Sequence, residues 1–172
     1  MEENKEKEDL KKYFDPKEYI TKIVGKEDVD DAPAVDEDKV NSLITLITDT
    51  ANRDIKEQAL LTLKKEKGEE LLLLAIASPK AKENRHKLVA ACWESEINFS
   101  KYLPFFILLA IDDDYLVSLE AITVISTMEG PFDKKQVEDG IKKVKEAKKK
   151  IASERVVLLN DLAITLEDFI RE

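Results

Sequence analysis

The sequence predicts an all-α fold made of stacked helix pairs, and three observations carry that prediction. Glycine (4) and proline (5) are scarce in 172 residues, whereas sandwich folds need turn residues at short intervals. The composition, with 43% hydrophobic and 38% charged residues, is typical of a helical protein. Alanine and flanking apolar residues also recur with a 31-residue period. The length suits one domain, or one domain with a tail.

Residues 1–39 are predicted to form an acidic N-terminal extension. They have a net charge of −6, and residues 27–38 hold seven acids and no base. Such a segment repels itself and buries little, so we expect a flexible linker there. Before the linker, apolar residues predict a short amphipathic helix that ends at Gly25: Leu10, Tyr13, Phe14, Tyr19, Ile20, Ile23 and Val24. Residues 40–172 are expected to form the folded domain.

The apolar pattern of residues 40–129 predicts six helices joined by short polar segments. They cover about 40–48, 54–65, 69–77, 83–94, 101–111 and 115–128. Asp49 or Asn52 can cap the second helix, and Gly68 can end it. Ser100 can cap the fifth helix, and Pro104 falls in its first turn, where no intrahelical hydrogen bond is lost.

An internal repeat relates the helices in pairs. The second helix of each pair has an alanine at the same position of the repeat, and the first helix has a large apolar residue at an equivalent position. The alanines are Ala59, Ala90 and Ala121, and the apolar residues are Leu43, Leu74 and Phe105, with a spacing of 31 throughout. A period of this length is typical of stacked supersecondary units.

The segments that carry the repeat resemble the HEAT-like, or armadillo-type, helical repeats. DIKEQALLTL (residues 54–63) and DDYLVSLEAITVI (113–125) are similar to the second-helix signature of that family, and NRHKLVAACWE (84–94) is a less regular copy. The resemblance covers about residues 40–128. It implies a right-handed α-solenoid of HEAT-like helical hairpins, whose second helices line a concave face.

The last 39 residues are predicted to complete the stack as a cap. They carry a net charge of +2, opposite in sign to the rest of the chain. Two apolar faces are separated near Ala152 and Ser153, which favours two antiparallel helices over one long helix. Terminal repeats need a polar outer face, and the lysines of residues 134–150 can supply it.

No candidate catalytic, cofactor-binding or metal-ligating site is visible in the sequence. His86 is the single histidine and Cys92 the single cysteine, so both are expected to be structural. The di-iron hydroxylases built from HEAT repeats use several His-Glu pairs, which this chain lacks. Residues 112–114 form an acidic cluster without the spacing of an EF-hand, and a cap on the sixth helix is the expected role.

Composition also argues against several classes of partner. The net charge of −9 opposes nucleic acid binding, and the lysines of residues 134–150 are interleaved with acids and lack stacking aromatics. No apolar run approaches the length of a membrane span, and the charged first residues do not resemble a secretory signal. We therefore expect a cytoplasmic setting without a membrane or nucleic acid partner.

The function expected on these grounds is a non-enzymatic protein-interaction or scaffold module that binds a partner on the solenoid surface. Lys56, Lys87, Trp93 and Glu120 are the predicted contacts, because they occupy second-helix positions. Trp93 is expected either to pack between repeats or to anchor a partner. The alternative is an enzyme or nucleic-acid-binding domain on a HEAT-like scaffold. The partner and the oligomeric state are left open by the sequence.

Overall fold

A computed structural model describes residues 37–49, 51–151 and 153–171, and this part of the chain is all-α. The amphipathic helix predicted before Gly25 lies outside these residues, as does most of the acidic linker. Eight α-helices follow one another. They are α1 (Glu37–Thr48), α2 (Arg53–Glu66), α3 (Glu69–Ala77), α4 (Arg85–Glu94), α5 (Leu103–Asp112), α6 (Tyr115–Ser126), α7 (Lys134–Lys148) and α8 (Ser153–Arg171).

Two short 3-10 segments change the predicted boundaries. Pro79–Asn84 forms a 3-10 turn, so α4 begins two residues later than expected. Ser100–Tyr102 forms another, and α5 starts at Leu103 without a side-chain cap. The prediction that Ser100 caps the fifth helix is therefore wrong. Pro104 does lie in the first turn of α5.

Several helix ends have identifiable caps. Asn52 caps α2 by accepting a hydrogen bond from the Asp54 amide at 3.0 Å. Asp114 caps α6 by accepting from the Val117 amide at 3.0 Å, which confirms the expected role of the acidic cluster. Lys67, with φ 54°, takes the left-handed position after α2 that was assigned to Gly68.

Helices that are joined by short turns lie against each other, which makes four pairs: α1/α2, α3/α4, α5/α6 and α7/α8. Contacts between pairs follow an order. First helices meet first helices in α1 with α3 and α5 with α7, and second helices meet in α4 with α6 and α6 with α8. In addition, α1 contacts α4. The last two helices are separate, as predicted, and pack on each other.

The core runs through all four pairs, and its largest members come from the middle. Phe99, Phe105 and Phe106 are almost fully buried, and their rings meet edge to face at centroid distances of 5.6 and 5.3 Å. At the C-terminal end, Phe132 and Phe169 stack at 3.9 Å. The aromatic rings thus join the loop before α7 to the end of α8.

Residues that are equivalent by the 31-residue period are all buried at one position of the repeat and differ in burial at another. Leu60, Ala91 and Ile122, 31 residues apart, are all buried. In contrast, Ile55 is 44% exposed, while its counterpart Val117 is buried. The difference has a physical reason: α6 has a helix on each side, α4 and α8, whereas α2 lies at the end of the described stack.

Candidate functional site

The candidate site is the exposed face of α4 together with the parts of α2 and α6 beside it. Leu88, Val89, Ala91 and Cys92 point α4 into the core. The opposite side of the helix presents Lys87 and Trp93 to solvent, with His86, Ala90 and Glu94 half-buried between them. The site is therefore a helix face with a solvent-accessible centre.

Trp93 is held in place by a residue of the next pair. Its indole Nε1–H donates to Oε2 of Glu120 on α6 over 2.8 Å. Trp93 remains 37% exposed, because the bond uses the edge of the ring and leaves part of its surface open. On the same helix as Glu120, Leu116 and Leu119 are exposed too, at 51% and 37%. The hydrogen bond therefore joins an exposed indole on α4 to a helix that itself exposes two leucines.

The predicted contact Lys56 forms an ion pair within the chain. Its Nζ lies 2.5 Å from Oε2 of Glu94, and both side chains are 28% exposed. A second pair connects α2 to the turn just after α4, with Lys64 Nζ 2.7 Å from Oε2 of Glu96. The Lys64–Glu96 pair is exposed, and such pairs contribute little to stability, whereas the Lys56–Glu94 pair is half-buried. Their effect here is to place charges of both signs along the α2 side of the site.

Lys87, another predicted contact, reaches away from Trp93. Its Nζ donates to the backbone carbonyl of Thr48 over 3.2 Å, at the last residue of α1. A cation at a helix C-terminus interacts favourably with the helix dipole. Lys87 thus connects α4 to α1. Of the four predicted contact residues, only Trp93 and Glu120 are hydrogen-bonded to each other.

Residues that are equivalent by the 31-residue period differ in how exposed they are. Ser118 corresponds to Lys56 and Lys87 by the 31-residue period, and yet it is fully buried. Val124 corresponds to Trp93 and is also buried. Equivalent positions of the repeat therefore do not form one continuous exposed surface.

The sequence interpretation missed Arg155, which joins α8 to α5 and α6. Its Nη2 donates to the carbonyl oxygens of Ala110 at 3.1 Å and Ile111 at 2.6 Å. The same nitrogen donates to the hydroxyl of Ser118 at 3.0 Å. Two sequence features could have indicated this contact: Arg155 lies beside the strongly apolar segment of α8, and Ser118 lies in a largely apolar helix. The contacts of Arg155 are structural, because they satisfy the carbonyl end of α5.

Cys92 is the single cysteine of the chain, and its thiol is buried in the core. Burial raises the pKa of the Cys92 thiol well above its ordinary value, so the thiolate is disfavoured. Within the ranges the structure covers, no three His, Cys, Asp or Glu side chains are grouped so that they could hold a metal ion. Among the same residues, no helix is long and apolar enough to cross a membrane.

The lysines of residues 134–150 lie mostly on the exposed side of α7 and just after it. Some of them pair with acids, since Lys145 Nζ is 3.2 Å from Oε1 of Glu167, and Lys134 Nζ is 3.9 Å from Oε1 of Glu138. The lysine face is thus partly neutralised by its own chain.

Comparison with known proteins adds no relative. No protein-family model matches the chain, and neither a curated protein nor a solved structure is significantly similar to it. The class established for the molecule is therefore the one its helices define, an all-α protein.

Proposed function

We propose that this chain is a non-enzymatic protein-interaction module built as a right-handed HEAT-like α-solenoid. The helix contacts support a stacked arrangement, because first helices meet in α1 with α3 and in α5 with α7, and second helices meet in α4 with α6 and in α6 with α8. In such a stack, α2, α4 and α6 are the second helices that form the recognition face.

The observation that carries the proposal is the exposed and oriented indole of Trp93. It is the single tryptophan of the chain, it is fixed by Glu120, and the helix that carries Glu120 also exposes Leu116. Tryptophan is enriched among the residues that dominate binding energy, above all where its orientation is set before binding. The net charge of −9 favours a basic protein partner, because complementary charge speeds association.

Quantitative affinity capture from the native cell tests the proposal with three forms of the full chain. They are the wild type, Trp93→Ala, and Ile164→Ala as a matched control on α8, where Ile164 is 58% exposed. We expect one set of proteins to be retained by the wild type and the control and lost by Trp93→Ala. Equal capture by all three forms would contradict the proposed site.

The alternative is a nucleic-acid-binding domain, and the lysines of α7 are the observation that favours it. That helix holds six lysines and three acids, in a chain that is acidic as a whole. Titration with DNA and RNA at several salt concentrations separates the two functions. Salt-sensitive binding that is lost when Lys142 and Lys143 are changed to glutamine would replace the proposal with this alternative.

A further inference from the structure

An open apolar groove lies between α1 and α2, at the end of the described stack where the chain enters it. The groove has a volume of about 380 Å³ and is lined by Leu46, Asp54, Ile55, Gln58, Ala59 and Thr62. A neighbouring hollow on α1 shares Leu46 and extends to Asn41, one turn from the start of that helix. Leu46 and Ile55 are 40% and 44% exposed. The groove is thus an apolar surface of two turns or more without a covering element among the described residues.

We propose that residues 10–24 of the same chain occupy this groove as an N-terminal cap. The sequence of that segment fits the role, because Tyr19, Ile20, Ile23 and Val24 fall on one face of a helix. An amphipathic helix that lays its apolar face in an apolar groove is a common mode of recognition. It would give α2 a helical neighbour in addition to its own partner α1, just as α6 contacts α4 and α8 in addition to its own partner α5.

The connection is long enough for the segment to reach the whole groove. Residues 26–36 join Gly25 to Glu37, where α1 begins. Eleven extended residues span roughly 35–40 Å, and the twelve residues of α1 are about 18 Å long. The segment can therefore fold back along α1 without any change in that helix.

Charge favours this segment over a second copy of the chain. Residues 10–24 carry four lysines and two acids, a net charge of +2, so the remainder of the chain carries −11. The groove lining includes Asp54. A second copy would bring another −9 to the same surface and would be repelled, whereas residues 10–24 are the locally basic part of the acidic extension. The segment is also tethered, which gives it a high effective concentration at the groove.

This inference goes beyond the proposed function and does not rest on it. Both surfaces include part of α2, but the groove centres on Leu46 and Ile55, the partner surface centres on Trp93 and Glu120, and the two experiments change different residues. Failure of the capture experiment would leave the cap untouched, and failure of the cap would leave the Trp93 surface untouched.

Paramagnetic NMR on the full chain tests the cap directly. A spin label is attached at Thr21→Cys, on the polar side of the segment, and methyl resonances are observed. Cys92 is fully buried, so it does not compete for the label. We expect the methyl signals of Leu46 and Ile55 to be lost to broadening, while that of Ile164 on α8 is retained. Retention of the Leu46 and Ile55 signals would overturn the proposal.

Two controls separate the cap from other sources of broadening. The first control mixes two forms of the chain: one carries the spin label and no isotope, and the other carries the isotope and no spin label. The Ile55 signal should be retained in this mixture, because the contact is intramolecular. Loss of that signal would assign the groove to a second copy and overturn the proposal. In the spin-labelled full chain with Ile20→Asp and Ile23→Asp, the lost signals should return with the Ile164 signal unchanged. Persistent broadening in this variant would also overturn it.

Discussion

The indole of Trp93 on α4 and the carboxylate of Glu120 on α6 meet through one hydrogen bond of 2.8 Å across two successive helix pairs. The residues are 27 positions apart, so the bond connects neighbouring pairs through side chains at the surface. Because the indole can donate only from Nε1, this contact sets the orientation of the ring.

A double-mutant cycle should detect this bond as a coupling between the two residues. We expect Trp93→Phe and Glu120→Ala to interact by about 0.5–1.5 kcal/mol, the usual net value of a hydrogen bond, and nearer the lower end because the site is partly exposed. Urea unfolding of the wild type, both single variants and the double variant measures it. Strictly additive losses would contradict the contact.

Gly140 sets the distance between α7 and α5. A Cβ atom at this position would lie 2.5 Å from Cδ1 of Ile107, which is buried. Gly140→Ala should therefore lower the free energy of unfolding by about 1–3 kcal/mol, although alanine is the better helix former.

Ile107→Val removes the atom that would clash, so it supplies the control for this prediction. We expect Gly140→Ala to cost less in the Ile107→Val background than in the wild type, as measured by thermal unfolding. An equal cost in both backgrounds would show that the close approach is unimportant.

Arg155 should contribute more to stability than the serine it contacts. Arg155→Met leaves the carbonyls of Ala110 and Ile111 without this donor, and bonds to charged groups contribute about 1.5–3 kcal/mol. Ser118→Ala removes one acceptor and leaves both carbonyl contacts in place, so its cost should be smaller. Chemical unfolding of the two variants compares them, and the reverse order would contradict this role of Arg155.

Cys92 should make stability fall with pH in the alkaline range. Burial raises the folded-state pKa of its thiol, whereas the unfolded thiol loses its proton near the ordinary value of about 8.5. Above that pH the unfolded state binds fewer protons than the folded state, so the free energy of unfolding decreases by up to about 1.4 kcal/mol per pH unit. This slope continues until the pH reaches the raised pKa of the folded thiol.

Comparison with Cys92→Ala isolates the thiol contribution, because the other titrating groups are unchanged. The difference in pH dependence between wild type and variant should appear above about pH 8.5. A thiol reagent should label the native chain slowly and the unfolded chain at once. Parallel pH profiles, or rapid labelling of the native chain, would contradict the buried state of Cys92.

Much of the local structure follows from the sequence, because helix periodicity and capping act over a few residues. The bounds of α3 and the cap at Asn52 agree with the predictions. The wrong predictions concern helix ends, where the same residues are compatible with two different local structures. The 3-10 turn at Ser100 replaces a cap, and Lys67 takes the left-handed position although glycine follows it.

The candidate site was less predictable, because side-chain partners across helices depend on how neighbouring pairs are shifted relative to each other. A repeat period aligns Trp93 with Thr62 and Val124, and it contains no information on the distance from Trp93 to Glu120. Long side chains add a further uncertainty: Lys56 and Lys87 stand at surface positions but reach partners of their own chain.

The one-sided packing of α2 has a consequence for how the molecule opens. Leu60 and Leu63 are the buried residues of this 14-residue helix, whereas α6 buries six residues of its twelve. Local opening costs less where fewer apolar contacts are broken, so amide hydrogens in α2 should exchange with solvent sooner than those in α6. Within the described helices, unfolding would then advance from the N-terminal edge inward, and any ligand that covers α2 would slow its first step.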